Sequence, residues 1–262
     1  MGRTGVGTLI RQWRTRRNVS QMALAQQVYV STRHLSFVET ARARPSPELV
    51  LAIAGALDVP LRERNALLLA AGYAPRFSEQ ALDAPAMRPL RRSIQRMLDA
   101  HDPYPGVVID RCWNIVMSNR AAAALIADLP PALTEPPLNV YRVCLHPQGL
   151  AAVTLDFQPW AAYLLDQLRR SIDATGDERL LAIQAEVSTY PNIAALADQT
   201  PPDPDEPPLL VPWTLERDGQ VLSLFTTLTT FGTPRDITLE ELAIELFFPA
   251  DEHTDKMLHA AA

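Results

Sequence analysis

Apolar positions recur at helical spacing along the N-terminal part of the chain and turn to strand-like alternation further on. Leu9, Ile10 and Trp13 share one face of a helix predicted over 7–17. Asn18 closes it, since Asn tolerates the left-handed backbone that follows many helices. Ser20 stands where it can N-cap a helix over 21–27 with Leu24, Ala25 and Val28 inward. Ser31 does the same for a helix over 32–39 with Leu35 and Val38 inward. Only Val28-Tyr29-Val30 separates the two. Ser46-Pro47, a cap followed by proline at the first helical position, starts a fourth helix with Leu49, Val50, Ile53, Ala54 and Leu57 in one stripe. A fifth runs from Pro60 to Ala71 and stops at Gly72.

Residues 75–88, with Pro75, Pro85 and no clear period, read as a linker between a domain at 1–74 and another at 89–262. Leu90, Ile94, Met97 and Leu98 predict a helix over 87–100. VVID, a turn at Arg111-Cys112 and WNIVMSN then predict a hairpin, with RAAAALIAD as the helix after it. Helices over 160–171 and 179–186 follow, and proline-rich loops occupy 130–137 and 201–212. LLVPWTLE and QVLSLFTTLTTF flank Asp218-Gly219, a strong hairpin signal. Residues 239–248 fit two patterns. Leu239, Leu242, Ala243, Leu246 and Phe247 suit a helix, while Leu242, Ile244, Leu246 and Phe248 alternate as in a strand. The order of strand, turn, strand and helix resembles the start of a PAS-like domain, whose five-stranded sheet needs one more strand, and that resemblance favours the strand.

Composition changes this picture little, and charge changes it more. A chain of 262 residues, 47% hydrophobic and 21% charged, suits two globular domains. No apolar run approaches the roughly 18 residues of a membrane span, and the N-terminus lacks the apolar core of a signal peptide, so a cytoplasmic protein without membrane attachment is expected. Cys112 and Cys144 stand apart, with no C-x-x-C to suggest zinc or a disulfide framework. Residues 1–76 hold 11 Arg against 4 acidic residues, a charge of +7, whereas the rest holds 13 basic and 26 acidic residues, a charge of −13. A basic head on an acidic body points to a nucleic-acid partner for the head alone.

Two short capped helices around a three-residue turn are the layout of a helix-turn-helix, whose second helix can enter the DNA major groove. SQMALAQQVYVSTRHLSFVETARAR resembles the Cro/phage-repressor (XRE) class. With PLRERNALLLAAGYAP, AHDPYPGVVIDRCWNIVMSNR, LHPQGL and TFGTPRDITLEELAIELFFPAD, the chain resembles the MmyB-like regulators. The resemblance implies an all-α, five-helix, lambda-repressor-like DNA-binding domain joined to an α+β PAS-like domain with an antiparallel sheet. It also implies a partly buried pair between Arg14 and Glu39, against the alternative of two solvated charges. Within the third helix Thr32, Arg33, Ser36 and Phe37 point away from the Leu35/Val38 face. Thr32, Arg33 and Ser36 can bond to base edges or phosphates, and Arg33 can grip a guanine through two bonds. Phe37 suits a thymine methyl or its own domain's packing. Arg16, Arg17, Gln21, Ser31, Arg42 and Arg44 complete the expected DNA contacts, mostly to phosphates. Tyr29 departs from the family pattern, standing where Gly is common, so a left-handed backbone there costs about 1 kcal/mol.

The PAS-like resemblance implies a ligand sensor, and a homodimer is expected because paired recognition helices reach half-sites about one helical turn apart. A sheet wrapped by helices encloses an apolar cavity, and a fatty acid or similar amphipathic molecule is the expected ligand. Trp113, Trp160, Leu164 and Phe231 are candidate walls; Arg142 and His146 are candidate anchors for its carboxylate. No other cofactor, no metal and no enzymatic activity are expected, since P-loop, G-x-G-x-x-G, H-E-x-x-H and G-x-S-x-G patterns are absent. Two other readings remain open on the residues. One is a constitutive dimeric DNA-binding protein without a ligand; the other is an antitoxin-like protein-interaction module.

Overall fold

The computed structural model describes residues 5–198 and 210–260. Contacts divide the chain into one unit of Met1–Ala84 with Phe231–Glu240 and another of Pro85–Thr230 with Glu241–Ala262. Residues 231–240 thus group by their contacts with the first unit, although the sequence reading places them within the domain at 89–262.

The first unit carries α1 (Val6–Arg16), α2 (Gln21–Gln27), α3 (Thr32–Glu39), α4 (Pro47–Ala56) and α5 (Leu61–Ala70). Three serines cap as the sequence predicts: Ser20 accepts from the Ala23 N–H, Ser31 from that of His34, and Ser46 from that of Leu49. Ile10, Leu24, Leu35, Val38, Val50 and Ile53 are fully buried and form the centre of its core. Asn18 and Tyr29 both take positive φ, 53° and 56°, and Tyr29 is 95% exposed, so its side chain gains nothing that offsets the backbone strain. Gly7 allows α1 to approach the end of α3: a Cβ there would lie 2.3 Å from the Val38 carbonyl oxygen and 2.8 Å from that of Glu39. Backbone atoms cannot rotate away as a side chain can. Gly7→Ala is expected to cost about 1–3 kcal/mol, read as a lower midpoint in thermal unfolding.

The segment expected as a linker is tied down at its start. Asn65 on α5 donates to the Phe77 carbonyl and accepts from the Arg76 and Phe77 N–H groups. Asp236 then accepts from the Ser78 hydroxyl at 2.7 Å and from the Gln80 and Thr238 N–H groups, while the Ile237 N–H donates to the Ser78 carbonyl. The carboxylate of Glu240 accepts from the Leu61 N–H, capping α5 where Pro60 offers no side-chain acceptor.

In the second unit α6 (Arg88–Asp99) precedes the hairpin of β1 (Gly106–Ile109) and β2 (Ile115–Ser118), then α7 (Arg120–Leu125), α8 (Pro131–Thr134) and α9 (Val140–Leu145). The long α10 (Phe157–Thr175), α11 (Glu178–Val187) and α12 (Pro191–Ala194) lead to β3 (Trp213–Arg217) and β4 (Gln220–Thr230), and after α13 (Ile237–Glu241) come β5 (Ala243–Pro249) and α14 (Glu252–Ala260). The five strands form one antiparallel sheet in the order β2-β1-β5-β4-β3. This is the α+β architecture expected of the C-terminal domain. The ambiguous 239–248 stretch divides: its first residues finish α13, and β5 then runs between β1 and β4. The proline-rich 130–137 is not all loop, since α8 lies inside it, and 201–209 of the other expected loop lie outside the described residues. Trp113, Tyr141, Trp160, Leu164, Leu168 and Trp213 belong to the buried cluster between sheet and helices.

Candidate nucleic-acid interface and ligand cavity

Helix α3 presents Thr32 and Arg33 to solvent, with Ser36 and Phe37 half-buried beside them. The Arg33 guanidinium lies over the Phe37 ring, 5.4 Å from its centroid. Phe37 therefore offers Arg33 a platform that narrows its freedom without using its hydrogen-bond donors. Beneath this surface Arg14 holds Glu39 with two bonds, Nε to Oε1 at 2.7 Å and Nη2 to Oε2 at 3.0 Å, and donates a third to the Val19 carbonyl. The resemblance implied this pair, and the geometry replaces the alternative of two solvated charges. Gln21 also donates to Glu39 Oε2, at 3.0 Å. One carboxylate thus joins the end of α3 to α1 and to the start of α2.

The expected phosphate contacts separate into two groups. Arg16 and Arg42 are exposed, and no hydrogen bond within the described residues occupies either guanidinium; Arg16 rests over Trp13, 5.4 Å from the ring centroid. Arg17 is engaged elsewhere. Its Nε donates to the Leu57 carbonyl at 3.0 Å and its Nη2 to the Asp58 carbonyl at 2.9 Å, satisfying groups left open at the end of α4. Arg44 likewise donates to the Ala71 and Gly72 carbonyls past α5 and lies over Tyr73. Arg17 and Arg44 thus spend two donors each on closing helix ends, leaving fewer for a phosphate than Arg16 and Arg42 hold. Gln21 retains one free amide hydrogen, and the Ser31 hydroxyl, accepting within its cap, can still donate.

The second unit encloses an apolar cavity of about 60 Å³. Val107 from β1, Leu150, Trp160 and Leu164 from α10, Trp213 from β3 and Phe247 from β5 form much of its wall. Trp160 stacks on Trp213 with 5.7 Å between centroids and 13° between planes. The Trp213 indole N–H donates to Thr154, whereas that of Trp160 is buried without a hydrogen bond among the described residues. One wall residue carries a charge-bearing group: Glu245 on β5, 6% exposed. Burial pushes its carboxyl up to about 7, against an opposing hydrogen bond from Thr226. The Cys144 thiol, also on the wall, is pushed up to about 12, first by burial and then by Glu245. A wider hollow of about 370 Å³ shares Pro105 and Leu125 with the cavity and carries Arg120, Arg217 and Asp218.

Of the expected ligand contacts, the structure brings Trp160 and Leu164 to the cavity. Trp113 lies in the core instead, tilted against Tyr141 at 5.3 Å and donating to Ser171, and does not line the cavity. Phe231 falls in the segment that belongs to the first unit. Arg142 and His146 line a different hollow, of about 390 Å³, where Arg142 is held by Glu186 through bonds of 2.7–3.0 Å and His146 packs edge-on to Tyr190. Neither expected anchor therefore lines the apolar cavity. Glu245 was missed. Its sequence signal is a lone carboxylate in the apolar run Ala243–Phe248, and only the packing of β5 tells that it turns inward.

Comparison with known proteins finds a family for each part of the chain. A family described as the MmyB-like transcription regulator ligand binding domain matches residues 90–261, and a helix-turn-helix domain family matches residues 6–67. No curated protein matches. Among solved structures, that of an RNA-binding Light-Oxygen-Voltage receptor is similar at 13% identity and a TM-score of 0.29, over 97% of this chain and 63% of that one. The chain spans less than two thirds of that receptor's length. The match over 90–261 covers most of the chain, and the chain belongs to the MmyB-like transcription regulators, its ligand-binding domain preceded by a helix-turn-helix domain.

Proposed function

We propose that α3 reads operator DNA and that a small apolar-bodied molecule in the second unit's cavity sets the affinity of that binding. The observation that carries the DNA half is the free donor face of α3, Arg33 above all, on a capped helix in a unit of net positive charge. A guanidinium with its donors free can grip guanine O6 and N7 together, a contact worth about 1–3 kcal/mol of discrimination. Arg16, Arg42 and Gln21 supply phosphate contacts around it. A two-fold homodimer places paired α3 helices at half-sites about one helical turn apart. In fluorescence anisotropy with DNA from upstream of its own gene, affinity is expected to fall steeply with salt. Arg33→Ala should bring specific and scrambled DNA closer while sparing scrambled-DNA affinity. No salt-dependent binding at low ionic strength, or an unchanged preference in Arg33→Ala, would sink this half.

The apolar walls suit the body of a fatty-acid-like or other amphipathic molecule, and native mass spectrometry of the purified chain reports both such a ligand and the oligomer. The chain itself offers the route to the DNA-binding unit. β5 carries Glu245 of the cavity wall, and residues 231–240, which lead into it, are fixed to α5 and Ser78 through Glu240 and Asp236. A ligand that shifts β5 pulls on those bonds. Asp236→Ala is expected to keep ligand binding but to shrink the ligand's effect on DNA affinity at least threefold, on the scale of a lost charge-assisted hydrogen bond. Calorimetry and anisotropy on the same variant check both parts.

A further inference from the structure

We infer that the cavity selects a ligand whose head group donates to Glu245, an amine on an apolar body, and not a carboxylate. This rests on the reading of that cavity as the ligand site, and three observations carry it. Glu245 is 6% exposed and turns its carboxyl into an otherwise apolar space, where a carboxylate without a partner is costly. No cation answers it among the described residues: its neighbours are the Thr226 hydroxyl and the neutral side chains of Tyr141, Tyr163 and Cys144. Arg170, which acts on both tyrosines, pairs with Asp166 on the exposed face of α10. The arginine and histidine that could have received a carboxylate head, Arg142 and His146, line another hollow.

The chemistry is therefore inverted from that of a fatty-acid site. An ammonium brought to Glu245 gains a charge-assisted bond and relieves a buried charge in one step. A carboxylate brought there adds a second negative charge at short range. The inner space of about 60 Å³ suits a small head group; a cavity of roughly 150 Å³ holds benzene. The rest of the molecule would extend past Leu125 and Pro105 into the wider hollow. A fatty acid could sit the other way round, its carboxylate at Arg120, but its methyl end would then bury against Glu245.

The test uses octylamine, octanol and octanoate as matched probes, titrated calorimetrically into the full-length chain at pH 7.5. Octylamine is expected to bind at least about tenfold more tightly than octanoate, the scale of one charge-assisted buried bond. Glu245→Gln, which keeps the side-chain volume, should bring octylamine to within about threefold of octanol measured on the same variant. In the unaltered chain octylamine affinity should fall as pH drops from 8 to 6, because Glu245 gains its proton; a ligand bearing a carboxyl would show the opposite slope. Octanoate binding most tightly, or an order of affinities unaltered in Glu245→Gln, overturns the inference while the cavity stands as the site. Failure of all three probes to bind overturns the cavity reading with it.

Discussion

Replacing Arg14 with alanine should lower the stability of the first unit by about 3 kcal/mol, the usual scale for leaving one partner of a buried pair alone. Glu39 keeps only the Gln21 amide, and its side chain is 3% exposed, so water cannot replace the two bonds that Arg14 supplied. At about 4–8 °C per kcal/mol for a domain of this size, the midpoint of thermal unfolding falls by more than about 10 °C. Specific DNA binding falls with it, since Glu39 fixes the end of α3. The double variant Arg14→Met with Glu39→Met removes both charges and should recover most of the lost stability. Scanning calorimetry of the three proteins decides it, and equal midpoints for Arg14→Ala and the double variant would show that the charge left behind is not the cause.

Glu245 should make the second unit less stable as pH rises, opposite to the behaviour of a salt-bridged carboxylate. Its ordinary value is 4.5 and burial lifts it to about 7. Below about pH 4.5 folded and unfolded chains both hold the proton, and the group costs nothing. Between those values the unfolded chain releases its proton while the folded chain keeps it, so stability declines. Above about 7 both are ionised and a loss on the order of 3 kcal/mol persists. Glu245→Gln escapes this, so it should exceed the unaltered chain in urea midpoint at pH 8 and match it at pH 4.5. A constant difference at all pH values would show that Glu245 is not ionised by this route. A cationic ligand removes the same penalty, which ties the stability of the unit to its occupancy.

Local chemistry made the first unit legible. Ser20, Ser31 and Ser46 cap as their positions predict because a cap needs only the next three residues, and Tyr29 takes the left-handed backbone that the short turn demands. What the sequence concealed depends on partners far along the chain. Arg17 and Arg44 read as exposed cations, but their acceptors are carbonyls 40 and 27 residues away, at helix ends whose openness no pattern announces. Residues 239–248 fitted helix and strand together because both are present, with the change just before Ala243. The candidate site was least legible. Trp160 and Leu164 could be guessed from apolar spacing, whereas Arg142 was chosen for its charge and proved to be satisfied by Glu186. Period two places Glu245 with Ala243 and Phe247 on one face of β5, yet which face meets the cavity is decided by α10 and the neighbouring strands.

Ligand control of DNA affinity is tested most directly by repeating the anisotropy titration of upstream DNA with octylamine at the concentration that saturates the calorimetric signal. The dissociation constant for DNA should change at least about fivefold, the lower end of ordinary allosteric coupling. The change should track calorimetric occupancy, and in Glu245→Gln it should shrink in step with the lower occupancy at the same octylamine concentration. Superimposable DNA isotherms with the cavity empty and filled would contradict the account, because a ligand bound equally well by both states shifts neither.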